Sequence, residues 1–315
     1  MKLDFILPPR QRLDTGITLH FPEKFSRTLV QSLIKNGNVF IQGKICIKPS
    51  FKAENPVNVS IDYEAPVEYI LQGNDQFSVP VIFQDEHLAI IHKPRDMTVH
   101  PGAGTRDDTL VHVLLSQIKT LSEGSDRLRP GIVHRLDRET EGLMIIAKNN
   151  QTHFMMAEAF AERKITKEYH AWVWGLCEPM KEISGYIGRH PRDRKKMLFE
   201  FFPLEESYKT AILTYTKINS SEYFSLLKIN LHTGRTHQIR ATFAKLNLPV
   251  VGDTLYSHFS RKLEKTNFSA EQKKIIADGG LYLMASRLNF IHPVTGKNLD
   301  FQLPLPERFQ KLEFL

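Results

Sequence analysis

The chain has 315 residues, 41% hydrophobic and 24% charged, an ordinary composition for a globular protein with room for two domains. No apolar run approaches the roughly 20 residues of a membrane span, and the acid and two prolines of Met1-Lys2-Leu3-Asp4-Phe5-Ile6-Leu7-Pro8-Pro9 break any signal-peptide core, so a cytoplasmic protein is expected. Cys46 and Cys177 lack a CxxC partner and the thirteen histidines lack HExxH spacing, which argues against a disulfide framework or a metal site, while the net charge of +7 points to an anionic partner, most commonly nucleic acid.

The positive charge is concentrated at the start of the chain. Residues 1–60 hold nine Lys or Arg against four acids. The spacing predicts a helix over 24–36, with Phe25, Leu29, Val30, Leu33 and Ile34 on one stripe and Lys24, Arg27, Gln31 and Lys35 near the other side. Pro22 before it and Gly37 after it fit the usual terminal preferences. Val39-Phe40-Ile41 and Ile45-Cys46-Ile47 then flank Gln42-Gly43-Lys44 as a short hairpin. A basic helix beside a basic hairpin is a compact footprint for a phosphate backbone, with Arg27, Lys35 and Lys44 as candidate contacts.

Ser26-Arg27-Thr28, Gln31, Ile34, Gly37-Asn38-Val39 and Gly43-Lys44 resemble the αL RNA-binding module of a small-subunit ribosomal protein and of several RNA-modifying enzymes. The resemblance covers about residues 10–63. It implies a small α/β RNA-binding module at 1–63. Its first helix falls on Asp14-Thr15-Gly16-Ile17-Thr18, where glycine and β-branched residues predict a weak helix. Residues 64–80, with Pro66, Gly73, Asn74 and Pro80, read as a linker to a larger domain at 81–315.

In that domain Val81-Ile82-Phe83 and Leu88-Ala89-Ile90-Ile91 read as a hairpin ended by Pro94, and 109–119 as a helix bearing Leu110, Val113, Leu114 and Ile118. Next comes His134-Arg135-Leu136-Asp137-Arg138-Glu139-Thr140-Glu141-Gly142, then an apolar strand at 143–147. A carboxylate at a strand entrance, kept ionised by flanking cations, suits nucleophilic or base chemistry. From these residues alone, a surface loop with an ordinary Asp–Arg pair is equally open. A helix at about 151–164 should carry Met156, Ala157, Phe160 and Ala161 on one face. A strand at 169–174 should put Tyr169, Ala171 and Val173 on one face.

Strands at 210–218 and 222–231 precede Thr233-Gly234-Arg235-Thr236-His237-Gln238-Ile239-Arg240. A helix starting near Arg235 would turn Ile239, Phe243 and Leu246 inward and put Thr236 and Arg240 on another face. Leu281–Ile291 and Leu299–Leu303 close the chain as a hairpin around His292-Pro293-Val294-Thr295-Gly296. Strands outnumber helices, so the expected fold is α+β, a mainly antiparallel mixed sheet with flanking helices. His134 and His237 read as structural hydrogen-bonding residues. Arg189, Arg194, Lys195 and Lys196, opposed only by Asp193, read as phosphate contacts.

Several motifs occur in order over roughly residues 81–305. They are His92-Lys93-Pro94, Val99-His100-Pro101-Gly102, Pro130-Gly131-Ile132-Val133-His134-Arg135-Leu136-Asp137, Lys167-Glu168-Tyr169, Gly188-Arg189-His190-Pro191 with Arg194-Lys195-Lys196-Met197, Thr233–Arg240 and Gly252-Asp253. Together they resemble the RluA/RluD-type family of RNA pseudouridine synthases. The resemblance implies that Asp137 is the catalytic aspartate, that Tyr169 stacks on the target base, that Arg240 pairs with Asp137, and that Arg135 helps displace the target nucleotide. With Arg235, the cationic run and the N-terminal module, it implies large-subunit (23S) ribosomal RNA as the partner and a monomer as the working form.

The chemistry breaks the C1′–N1 bond of uridine, turns the base and joins C1′ to C5. A carboxylate can attack C1′ or remove a proton from C2′, and the sequence leaves both open. Neither redox change nor hydrolysis occurs, so no cofactor or metal is expected. Two positions depart from the family pattern. Glu141 stands where a serine is usual, placing a negative charge four residues from Asp137, and Met284 stands where histidine is frequent. Other readings are a non-catalytic RNA-binding assembly factor, and a glycosidase with Glu141 as its second carboxylate.

Overall fold

The computed structural model describes residues 2–64, 71–102, 107–124 and 126–314, and divides into two units, Met1–Ile70 and Leu71–Leu315. In the N-terminal unit the elements are β1 (Lys2–Leu7), α1 (Leu13–His20), α2 (Arg27–Lys35), β2 (Val39–Ile41), β3 (Lys44–Ile45) and β4 (Val57–Asp62). The strands form one sheet in the order β1-β4-β2-β3. Phe5, Leu7, Leu13, Ile17, Phe25, Val30, Ile34, Val39, Val59 and Ile61 share its core. The outer pair, β1 and β4, was not expected from the sequence.

α1 forms where propensity predicted weakness. Leu13 and Ile17 are buried, and the buried Asp14 carboxylate accepts from Arg12 Nε and Nη2, both at 2.9 Å, and from Gln31 Nε2 at 3.3 Å. The Arg12 guanidinium holds the Asp14 carboxyl far below the usual carboxylate range against the opposing effect of burial. Gly16 lies against Leu7, whose Cδ1 would be 2.3 Å from a Cβ there, so close packing explains the glycine. α2 starts at Arg27 because the Ser26 hydroxyl caps it, accepting from the Leu29 N–H at 3.3 Å. In the hairpin Ile41 faces Lys44, leaving a two-residue Gln42-Gly43 turn with both φ angles positive, and β3 is shorter than the expected second strand.

The second unit contains β5 (Val81–Gln84), β6 (Leu88–Lys93), α3 (Leu110–Gln117), β7 (Glu141–Ala147), α4 (Asn150–Ala161), β8 (Thr166–Trp174), β9 (Met180–Arg189) and β10 (Met197–Glu200). It continues with β11 (Lys209–Ser220), β12 (Phe224–Leu231), α5 (Gln238–Lys245), α6 (Phe259–Glu264), α7 (Ala270–Asp278), β13 (Leu283–Ile291), β14 (Asn298–Gln302) and α8 (Glu307–Glu313). One sheet runs β10-β9-β11-β12-β8-β13-β7-β6-β5, with β14 paired to β13. All its pairings are antiparallel except β13 with β7. This is the α+β, mainly antiparallel mixed sheet the sequence suggested.

Both faces of the sheet are covered. Tyr169, Ala171 and Val173 join the main core on one face, while Trp172 and Trp174 pack with Phe224 and Tyr282 on the other. Of the segment 64–80, residues 65–70 lie outside the described residues, and residues 71–80 are tied to α3, where the Asn74 N–H donates to the His112 carbonyl at 2.9 Å. Gln117 Nε2 donates to the Val79 carbonyl at 2.6 Å, and the Val79 N–H donates to Gln117 Oε1 at 3.0 Å.

The cationic run Arg189–Lys196 is the connection of a hairpin, β9–β10, in which Met197 pairs with Arg189. Two expectations are corrected. On α4, Thr152 and Met156 are buried while Ala157 and Ala161 are exposed, because Met156 and Phe160 dock on Leu143, Ile145 and Ile165. The helix expected at Arg235 begins at Gln238, after a left-handed His237 (φ 53°). Ile239 and Phe243 do turn inward, but Thr236 lies off the helix and shares no face with Arg240.

Candidate active site

The loop that leads into β7 is fixed from several sides. Leu136 is buried, and the Thr140 N–H closes a turn on the Asp137 carbonyl at 3.1 Å. His134 Nε2 accepts from the Ile145 N–H at 2.9 Å. Burial, with Lys167 nearby, pushes the His134 pKa down to about 3, so the ring stays a neutral acceptor. The fully buried Lys93 donates from Nζ to the carbonyls of Pro94, Met97 and Arg138 at 2.7, 2.9 and 3.1 Å. Burial pushes its pKa down to about 8. At the start of β7, Gly142 has φ 131° and lies so close to β13 that a Cβ would sit 2.2 Å from the Ala285 carbonyl oxygen. Asp137 is thus held between an anchored turn and a strand that admits only glycine at its second position.

Asp137 lines a cleft of about 1010 Å³ with Arg135, Lys167, Tyr169, Arg235 and Arg240. Tyr169 comes from β8, where it is nearly buried, and burial with the Asp137 charge raises its phenol pKa far above ordinary. The phenol stays neutral, a flat ring beside a carboxylate. His237 brings Nε2 to 3.8 Å from Asp137 Oδ1, and its Nδ1 lies 3.0 Å from the Tyr256 hydroxyl. Burial lowers the His237 pKa despite Asp137, which favours a neutral ring.

Arg240 is 2% exposed and serves three carboxylates. Its Nε and Nη2 donate to Asp253 Oδ2 and Oδ1 at 2.8 and 3.0 Å. Its Nη1 donates to Glu139 Oε2 at 3.2 Å and stands 3.8 Å from Asp137 Oδ2. The pairing with Asp137 read from the sequence is present, but Asp253 is the bidentate partner. Burial works against the guanidinium charge, and Asp253 outweighs it, so Arg240 is held more firmly protonated than usual. The Asp253 Oδ1 also accepts the N–H groups of Leu255 and Tyr256 at 3.0 and 2.9 Å.

The remaining cations fall into two groups. Arg135 is exposed at the cleft, and Arg235 lines it while donating from Nε to the Thr210 carbonyl at 3.2 Å. Arg189, Arg194, Lys195 and Lys196 do not line it. They sit on the β9–β10 connection, where Arg189 Nη1 donates to the Arg194 carbonyl at 3.0 Å and His190 Nδ1 accepts the N–H groups of Arg192 and Asp193. That hairpin is tied to the site, since the Met197 N–H donates to the Tyr256 hydroxyl at 2.7 Å. In the N-terminal unit Lys35 and Lys44 are exposed, and Arg27 lies 3.7 Å from Asp14. Among the described residues, no group of three or more His, Cys, Asp or Glu is placed to hold a metal ion.

The sequence model of the family described as RNA pseudouridylate synthase matches residues 87–245, half of the chain and nearly all of this cleft. The chain belongs to that family, whose members isomerise uridine to pseudouridine in RNA. It is 37% identical to an RNA pseudouridine synthase of Aquifex aeolicus, over 96% of this chain and 92% of that one. It is 33% identical to the ribosomal large subunit pseudouridine synthase D of Escherichia coli K12, over 96% and 89%. Human RNA pseudouridylate synthase domain containing 1 and domain containing 4 share the fold. Their TM-scores are 0.55 and 0.54 at 22% and 23% identity, covering 72% and 73% of this chain and 83% and 90% of theirs.

The two departures from the family pattern are neighbours. Met284 on β13 faces Glu141 on β7 across the parallel pair. Met284 is fully buried against the aromatic core, and Glu141 is engaged by Arg308 of α8, which also donates to the Gly279 and Leu281 carbonyls, both at 3.0 Å. The cation answering Glu141 is Arg308; the adjacent Arg138 instead donates from Nε to the Asp96 carbonyl at 3.3 Å. Lys93, Glu139, Asp253 and Tyr256 were not singled out from the sequence. Lys93, Glu139 and Asp253 lie in stretches that had been read; Tyr256 gave no signal of its own.

Proposed function

We propose that this chain converts specific uridines of large-subunit (23S) ribosomal RNA to pseudouridine in the cytoplasm, with Asp137 as the catalytic carboxylate. The observation that carries this reading is the meeting of Asp137, Tyr169 and Arg240 in one cleft from three distant segments. The choice of RNA follows the relatives named for the large ribosomal subunit.

A uridine must leave its stack to reach Asp137. Stacking on an aromatic ring is worth roughly 1–3 kcal/mol per base, enough for Tyr169 to offset much of that cost. The exposed Arg135 at the cleft mouth occupies the space the base vacates. Asp137 then attacks C1′ or takes the C2′ proton, and Arg240 supplies positive charge 3.8 Å away while Asp253 fixes its plane. The freed uracil turns on Tyr169 and bonds C1′ through C5, which displaces the Asp137 carboxylate or is followed by return of the C2′ proton; C5 then loses its proton and N1 gains one, so the product is an isomer. The reaction redistributes bonds within one nucleoside, so the residues suffice without a cofactor. Arg27, Lys35 and Lys44 of the 1–63 module, and Arg189, Arg194, Lys195, Lys196 and Arg235 of the larger domain, bind phosphates and position the RNA, with the protein acting as a monomer.

The test is Asp137→Asn assayed on large-subunit rRNA lacking its pseudouridines. Turnover disappears while RNA affinity stays within about 3-fold. Retained turnover in the purified variant refutes the assignment.

A further inference from the structure

We propose that Lys167, accommodated by Gly234, binds a backbone phosphate of the strand whose uridine enters the cleft. The proposal rests on the cleft taking RNA as read above. Lys167 lies on β8 two residues before Tyr169, on the same face of the strand, and both line the cleft. Their side chains are about 6–7 Å apart along the strand. One nucleotide spans that gap, with its base on Tyr169 and a phosphate on Lys167.

The ammonium is placed for an anion it lacks. Burial lowers its pKa, and no charged group offsets that effect. Its neighbours include the Phe160 ring, 5.6 Å from Nζ to the centroid, Gly234, where a Cβ would meet Nζ at 2.9 Å, and the neutral His134 ring. A desolvated cation without a counter-charge is costly, and a cation–π contact returns only about 0.5–2 kcal/mol of that. The other cations of the cleft are differently disposed. Arg240 is shared by three carboxylates, Arg235 donates to Thr210, and Arg135 and Arg163 are exposed. Among the described residues of the cleft, only Lys167 is a half-buried cation with no carboxylate on it.

The experiment measures binding and turnover of an in vitro large-subunit rRNA transcript across a salt series, using wild type, Lys167→Met, Lys167→Arg and Gly234→Ala. Methionine keeps an apolar stem over Phe160 and removes the charge. Lys167→Met is expected to bind about 10-fold more weakly at low salt, the worth of one charge-assisted hydrogen bond. The slope of log K against log salt becomes shallower by roughly 0.7–1, while kcat at saturating RNA changes less than about 3-fold. Lys167→Arg restores the slope. Gly234→Ala keeps the charge, displaces Nζ and weakens binding in the same direction, and it carries the test if Lys167→Met does not fold. An unchanged slope and affinity in the folded Lys167→Met and in Gly234→Ala overturns the proposal, as does lost kcat with binding intact. Wild type that binds the transcript without modifying it sinks the catalytic reading, while the slope difference still judges Lys167.

Discussion

Replacing Asp253 by asparagine isolates what the buried carboxylate does for Arg240. Asp253 is 1% exposed and meets Nε and Nη2 of a guanidinium that is 2% exposed, so the pair is out of water on both sides. Asparagine keeps the shape, and its carbonyl still accepts the Leu255 and Tyr256 N–H groups. Its amide, however, presents a donor to a donor and leaves the buried Arg240 without its bidentate carboxylate. Breaking one partner of a buried pair costs about 3–5 kcal/mol. At 3 kcal/mol the thermal midpoint of a unit this size falls by roughly 6–12 °C. The freed guanidinium swings toward Glu139 and Asp137, which stand 3.2 and 3.8 Å from Nη1. A displacement of that order lowers kcat about 100-fold while RNA affinity holds. Glu139→Gln is the control, because Glu139 is 43% exposed and its pairing is worth about 1 kcal/mol or less. Calorimetry and single-turnover kinetics read both variants. An Asp253→Asn midpoint no lower than that of Glu139→Gln, with kcat within 3-fold of wild type, would refute the reasoning.

Gly142→Ala is expected to displace the Asp137 loop, since its Cβ would collide with the backbone of Ala285; turnover falls about 100-fold by the same positioning argument, and Ala at a solvent-exposed glycine such as Gly296 serves as the control. Deleting residues 1–63 weakens RNA binding and flattens its salt dependence while the far-ultraviolet and thermal signature of the second unit persists; an unchanged salt slope excludes the module from phosphate contact. His134 has a folded pKa of about 3 against about 6.5 unfolded, so the unfolded state takes the proton first as pH falls. Its contribution is complete above about pH 6.5 and is lost toward pH 3, by at most about 1.4 kcal/mol per unit. Urea midpoints of wild type minus His134→Gln over that range should show this slope, and a flat difference contradicts it.

Much of the second unit was legible because its strands alternate or run apolar, as in Leu88–Ile91, Leu143–Ala147 and Tyr169–Trp174, and because its turns carry glycine or proline. β9 was hidden because its first half alternates poorly, with Met180, Lys181 and Glu182 all exposed. α5 was placed three residues early because nothing in Arg235-Thr236-His237 marks a left-handed residue before a helix. α1 was undervalued because propensity does not count a buried Asp14 whose carboxylate accepts five hydrogen bonds, or a glycine required by Leu7. In the site, Asp137, Tyr169 and Arg240 stood out as motif residues. The geometry that makes Asp253, and not Asp137, the close partner of Arg240 depends on a turn 13 residues further on, which no local pattern reports.

The position of β13 bears on how the site holds together. β13 lies between β8 and β7 and joins the half of the sheet that carries Tyr169 to the half that carries the Asp137 loop. The long-range pairing of Met284 and Ala285 with Glu141 and Gly142, and then the arrival of Arg308 at Glu141, closes the seam. A chain without β13 would leave Asp137 and Tyr169 on separate halves of the sheet, and is expected to lose turnover when assayed on rRNA.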